Sequence, residues 1–149
     1  MKSCENLKML CGAKIKDVKR TCDLIMLTIV KDEQEIFFHA TCFLRIYNSK
    51  KLLLCSNDLY KRGNKAEEDF EWDIPGSSLF DDCVDVNGEY FLDIAISDVK
   101  ISYDKFIIKL VNEVVIEAIP DTVAYDDYTE AYRLFTLTED LIIFPNIDR

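Results

Sequence analysis

Residues 35–47, EIFFHATCFLRIY, decide how this chain folds. Their side chains fall into two alternating sets, the period of an extended strand. One set, Ile36, Phe38, Ala40, Cys42, Leu44 and Ile46, is apolar at every step. The other, Phe37, His39, Thr41, Phe43, Arg45 and Tyr47, mixes rings with polar groups. A helix would scatter both sets around its circumference, so the stretch reads as one long strand with its apolar side in the core. Phe37, His39, Phe43 and Arg45 on the other side form a candidate recognition surface.

Working outward, residues 22–31 (CDLIMLTIVK) form an apolar, β-branched run that the polar turn 32–34 joins to 35–47 as a hairpin. A second turn at 48–50 leads into 51–56, which completes a three-strand meander. Upstream, Ser3 caps a short helix over 2–11 that Gly12 closes, and 14–21 alternates too imperfectly to be more than a loop or weak edge strand. Downstream, 57–75 is a long polar loop pinned by Phe70 and Trp72, and Ser77 or Ser78 caps a helical turn over 79–84. Short strands follow at 90–97, 99–103, 106–111 and 114–119, with a tight hairpin at Asn112-Glu113. After an acidic, aromatic loop at 121–130, two more strands at 132–137 and 141–144 end the pattern. The expectation is a single α+β domain over 1–149, mainly antiparallel β: a meander-rich twisted sheet or a partly closed barrel or sandwich, with one or two short helices.

Hydrophobic residues make up 49% and charged residues 31% of the chain, the balance of a globular domain rather than a disordered one. No apolar run reaches the roughly 18–20 residues needed to cross a bilayer, and the first residues lack the apolar core of a signal peptide, so a cytoplasmic protein without membrane contact is expected. The net charge of −10 repels phosphate backbones and argues against nucleic acid. Charge is uneven: residues 1–20 hold six basic and two acidic side chains, whereas 66–99 hold eleven acids and no base. The six cysteines are scattered without a C-x-x-C, and His39 is the sole histidine, so reduced thiols are expected and no metal or other cofactor.

Catalytic signatures are absent. His39 has no orienting partner legible in sequence, no nucleophile elbow or phosphate loop occurs, and acid pairs such as Asp81-Asp82 need a spatial argument that linear adjacency cannot supply. Residues 83–88 have the look of a calcium loop, but Cys83 and Ile94 occupy its first and twelfth positions, where carboxylates are required. Arg20, Asp23, Asp58 and Arg133 lie at strand ends or in the last strand pair, where ion pairs fix register and loop position.

Several pieces together, DVKRTCDLIMLTI (17–29), FFHATCFLRIY (37–47), CSNDLY (55–60), FEWDI (70–74), LFDD (79–82) and EAYRLF (130–135), give a chain that resembles a family of small acidic bacterial proteins, among them immunity proteins of toxin systems. Tyr132 departs from that pattern, which has a tryptophan before Arg133. The resemblance implies a single-domain, mainly β binding protein and carries over no catalytic residue. The expected function is therefore non-enzymatic protein binding, as by an immunity protein that masks a basic toxin domain. Its surface would comprise Phe37, His39, Phe43 and Arg45 together with Trp72, Asp73, Tyr125, Asp126, Asp127 and Tyr128. The alternatives are an enzyme or small-ligand protein with a pocket near His39 and Arg45, and a housekeeping interaction module.

Overall fold

The computed structural model describes residues 4–122 and 130–144; Tyr125, Asp126, Asp127 and Tyr128 lie outside the described residues. Among the described residues, ten strands form two five-stranded antiparallel sheets. In chain order they are β1 (Lys14–Thr21), β2 (Leu24–Lys31), β3 (Gln34–Ala40), β4 (Phe43–Tyr47), β5 (Leu52–Cys55), β6 (Ile96–Ile101), β7 (Phe106–Leu110), β8 (Val115–Ile119), β9 (Tyr132–Phe135) and β10 (Asp140–Phe144). The first sheet runs β1-β2-β3-β9-β10 and the second β5-β4-β8-β7-β6. Among the described residues one α-helix, α1 (Leu79–Asn87), precedes β6, and 3-10 segments cover Cys4–Leu10, Ser56–Tyr60 and Gly88–Tyr90.

Residues 35–47 keep their alternation from end to end. Ile36, Phe38, Ala40, Cys42, Leu44 and Ile46 are all buried, and the opposite set is half-buried or exposed. The segment is not one strand in one sheet, however. It turns a corner at Thr41-Cys42, so that β3 belongs to the first sheet and β4 to the second. The carbonyl of Ala131 accepts both corner amides, from Thr41 at 2.9 Å and Cys42 at 3.3 Å, and the Thr41 hydroxyl donates to the Glu130 carbonyl at 2.7 Å. The three-strand meander is corrected accordingly: β2–β3 and β4–β5 are hairpins of different sheets.

The residues between strands follow turn chemistry. Asp32 and Glu33 both have positive φ (50° and 68°) between Lys31 and Gln34, the geometry a two-residue hairpin turn demands. In the β7–β8 loop, 111–113, Glu113 (φ 71°) is the left-handed residue that closes the turn, with Leu110 N–H donating to Val114 O at 2.9 Å. Residues 14–21 take the edge-strand alternative: β1 ends the first sheet, and a bulge between Ile15 and Asp17 resets the phase and lets Ile15, Val18 and Arg20 all face inward. One further expectation needs correction. Residues 90–95 are not strand: the Gly88–Tyr90 turn and the positive φ of Asp93 carry the chain over buried Phe91 before β6 begins.

Both inner faces contribute to a single hydrophobic cluster. At its centre Phe38 of the first sheet stacks on Phe106 of the second at 5.0 Å, and Tyr132 lies 5.3 Å from Phe106 and 5.7 Å from Phe38. A second junction links β1 to the approach of β6: Gly12 N–H donates to Ile96 O at 2.8 Å, Ile96 N–H to Ala13 O at 2.7 Å, and Asp93 N–H to Ile15 O at 2.8 Å. No helix among the described residues is long and apolar enough to cross a membrane.

Tyr132 carries a cost in this core. It is 1% exposed, and its hydroxyl has no hydrogen-bond partner among the described residues. Burial raises its pKa well above the usual phenol range. Tyr132→Phe removes the stranded hydroxyl and keeps the ring, so it is expected to stabilise the fold by about 1 kcal/mol. A urea titration with an unchanged slope and a higher midpoint is the expected reading; a lower midpoint would show that the hydroxyl is satisfied after all.

Candidate functional site

The best-built surface surrounds Arg20, the last inward-facing residue of β1. Its guanidinium is buried, with its side chain 2% exposed. Nε donates to Asp81 Oδ1 at 3.1 Å and Nη2 to Asp81 Oδ2 at 2.7 Å, a bidentate pair. The remaining donors reach the carbonyls of Trp72 (2.6 Å), Ile74 (2.9 Å) and Cys22 (3.3 Å). One side chain thereby joins the first sheet, the helix start and the loop between them. Asp23, its neighbour in sequence, is exposed in the turn; the partner is Asp81.

Asp81 has a second task. It is the third residue of α1: its Oδ2 accepts from the Ser78 amide at 3.1 Å while the Ser78 side chain accepts from the Asp81 amide, the reciprocal pair of a capping box, and the Ser78 hydroxyl also lies 3.1 Å from Oδ2. Burial alone would raise the Asp81 pKa, but the Arg20 and Ser78 hydrogen bonds outweigh it and hold the carboxyl below its usual value.

The loop that follows Tyr60 is sewn to the helix start. Leu79 N–H donates to Lys61 O at 2.8 Å, Gly63 N–H to Ser77 O at 2.9 Å, and Asn64 N–H to Asp82 Oδ2 at 2.6 Å. Gly63 is required here: a Cβ would stand 2.5 Å from the Ser78 carbonyl oxygen. Arg62 donates to the carbonyls of Glu67 and Glu68, and the Ser77 hydroxyl lies within bonding reach of those of Glu71 (2.8 Å) and Ile74 (2.6 Å). The Trp72 ring meets Tyr60 edge-on at 4.9 Å.

Residues 65–76 are therefore a fastened ledge, although they contain no helix or strand. Glu67, Glu68, Asp69, Glu71 and Asp73 are exposed on it, and Ile74 projects with 49% exposure. Two grooves of about 310 and 320 Å³ flank its Pro75-Gly76 ridge. Val18, Phe80 and Val84 help to line the first; Glu67, Asp69, Glu71 and Ile74 line the second.

No family model, curated protein or solved structure matches this chain.

The corner at Thr41-Cys42 separates the other expected site residues. Phe37 and His39 lie on the outer face of the first sheet, where His39 meets Phe135 edge-on at 4.8 Å and Phe37 lies 5.5 Å from Phe135. Burial and the nearby Arg133 charge lower the His39 pKa, so the ring is neutral at pH 7. Phe43 and Arg45 lie on the outer face of the second sheet, where Arg45 donates to Glu117 Oε2 from Nε (3.1 Å) and Nη2 (2.9 Å). Tyr47 donates to Glu117 Oε1, and Glu117 is 4% exposed. Its pKa is lowered because these bonds overcome the opposing effect of burial. His39 and Arg45 thus belong to different sheets and do not converge on one pocket.

Of the remaining ion-pair candidates, Asp58 bridges Lys61 at 3.1 Å, and Arg133 donates to Glu130 at 3.0 Å and stands 3.6 Å from Asp140. Trp72 and Asp73 do lie on the ledge. Glu117 is not singled out by the sequence and Asp81 only as one of an acid pair, although a lone acid at an outward position of an apolar strand and an acid three residues after a serine are the legible signals of their roles. Cys42 packs as a small apolar group, and its thiol is pushed up to about 12 by burial and then by Asp121.

Proposed function

We propose that this chain is a non-enzymatic protein-binding protein whose partner is a basic protein domain, in the manner of an immunity protein that masks a bacterial toxin. The observation that carries this reading is the ledge at 65–76: five exposed acids and a projecting Ile74, held rigid by Arg20. A fastened surface loses little conformational entropy when a partner docks, so more of the contact energy becomes affinity. Its charge steers a cationic partner toward it and excludes acidic ones. Trp72, Tyr60 and Ile74 add ring and aliphatic area of the kind that anchors interfaces.

The test is association with a basic toxin domain encoded beside the gene, followed by stopped flow. The triple substitution Glu67→Lys, Asp69→Lys and Glu71→Lys is expected to slow association at low salt by about tenfold or more. Raising the salt should narrow the gap between wild type and variant. Equal association rates for the two proteins at low salt would overturn the assignment to the ledge, and failure of any neighbouring basic domain to bind would overturn the reading itself.

A further inference from the structure

The outer face of the first sheet does not look like a surface made for water. An antiparallel sheet with one side in the core ordinarily presents polar residues on the other. Here the outward positions of β2 are Leu24, Met26, Thr28 and Val30, and those of β3 and β9 include Phe37, His39 and Phe135. Register places them in rows: Lys19–Met26–His39–Arg133–Ile143, and beside it Asp17–Thr28–Phe37–Phe135–Asp140. The helix that could have covered them packs instead against β5 and the turn at 56–60.

The two rims of this apolar stripe carry opposite charge. On β1, Lys14, Lys16 and Lys19 are exposed, with Asp17 the one acid among them. On the far side, Glu139 and Asp140 are exposed and Glu130 is half-buried just before β9; Arg133 bridges Glu130 at 2.8 Å and stands 3.6 Å from Asp140, so three acids and one base leave that rim net acidic. A stripe with balanced rims has no preference for a strongly basic partner, which separates it from the ledge. It is complementary to itself. Two copies placed face to face about a two-fold axis along the strands set the lysine rim of each over the acidic rim of the other, with stripe against stripe. An axis across the strands would instead set lysine on lysine.

We propose that this face is the seat of a second copy of the chain, in a two-fold homodimer whose axis runs along the strands. Both contacts of the pair are then the same contact, as an isologous interface requires. The Phe37 and Phe135 rings lie at its centre, where large apolar side chains contribute most.

Sedimentation velocity on the full chain over a concentration series tests this. Wild type is expected to reach twice the 17.3 kDa chain mass. The rim variants Lys14→Glu/Lys16→Glu/Lys19→Glu and Glu139→Lys/Asp140→Lys should each be monomeric alone and pair when mixed, because the first now offers two acidic rims and the second two basic ones. Phe37→Lys should be monomeric alone and in every mixture, with circular dichroism reporting that each variant is folded. A monomeric wild type at every concentration, a folded Phe37→Lys that still dimerises, or rim variants that dimerise alone or fail to pair when mixed would overturn the proposal. This face shares Lys19 with the groove beside Pro75, so toxin binding is followed separately with Glu139→Lys/Asp140→Lys and Phe37→Lys, whose positions do not line either groove of the ledge.

Discussion

Arg20→Met is expected to lower the unfolding free energy by about 3–5 kcal/mol, the cost of leaving a buried charge without its partner. Asp81 would keep its place at the helix start but lose both guanidinium bonds, and the carbonyls of Trp72, Ile74 and Cys22 would lose their donor. Lysine should not rescue it, because one ammonium cannot supply the bidentate fork and the remaining bonds together. A urea midpoint for Arg20→Met within experimental error of wild type would show that the hub contributes nothing.

The same pair has a pH signature. The folded-state pKa of Asp81 lies below its unfolded value, so its contribution is complete above the ordinary carboxylate range. That contribution drains away as pH falls from about 4 through the depressed folded value. In Arg20→Met the opposing effect of burial is no longer outweighed by the guanidinium, so the acid limb of the stability curve should flatten. An acid limb identical to wild type would assign the pH dependence to other carboxylates, such as Glu117.

Phe38→Ala is expected to cost about 3–5 kcal/mol through lost burial and the cavity left behind. Phe38 is fully buried, and its ring is the point at which β3 meets both β7 and β9. Its stacking partner Phe106 lies on the opposite sheet, so the double variant with Phe106→Ala should cost less than the sum of the singles, with a coupling of about 0.5–1.5 kcal/mol. Additive losses in thermal or urea unfolding would mean that the rings fill space without interacting.

Most of the fold was legible because the chain announces burial locally. The alternation through residues 35–47 named every inward residue correctly, and the turns at Asp32-Glu33 and Asn112-Glu113 divide strands where expected. The corner was not legible. Strand period records which side chains face the core, and the core lies on the same side of the chain before and after Thr41-Cys42, so passage from one sheet to the other leaves the pattern untouched. The β1 bulge failed to register for the opposite reason: one extra residue at Lys16 breaks the alternation without ending the strand.

The candidate site was legible in composition and illegible in geometry. Eleven acids without a base between Ala66 and Val99 marked the region, and Trp72 and Asp73 fall on the ledge. What makes it a surface rather than a polar loop is Arg20, more than fifty residues away in sequence from each of the carbonyls it holds at Trp72 and Ile74. No local pattern records such a contact. The expectation that joined Phe37 and His39 to Phe43 and Arg45 rested on a shared strand side, which the corner divides between two walls.

The corner also shapes how the molecule can come apart. β3 is an inner member of one wall and β4 of the other, and a single uninterrupted backbone passes between them through the shared Ala131 carbonyl. Neither wall can peel away without pulling a central plank from its neighbour. One hydrophobic cluster joins the inner sides of both walls, so the two are expected to melt together, with fluorescence and circular dichroism giving coincident unfolding curves.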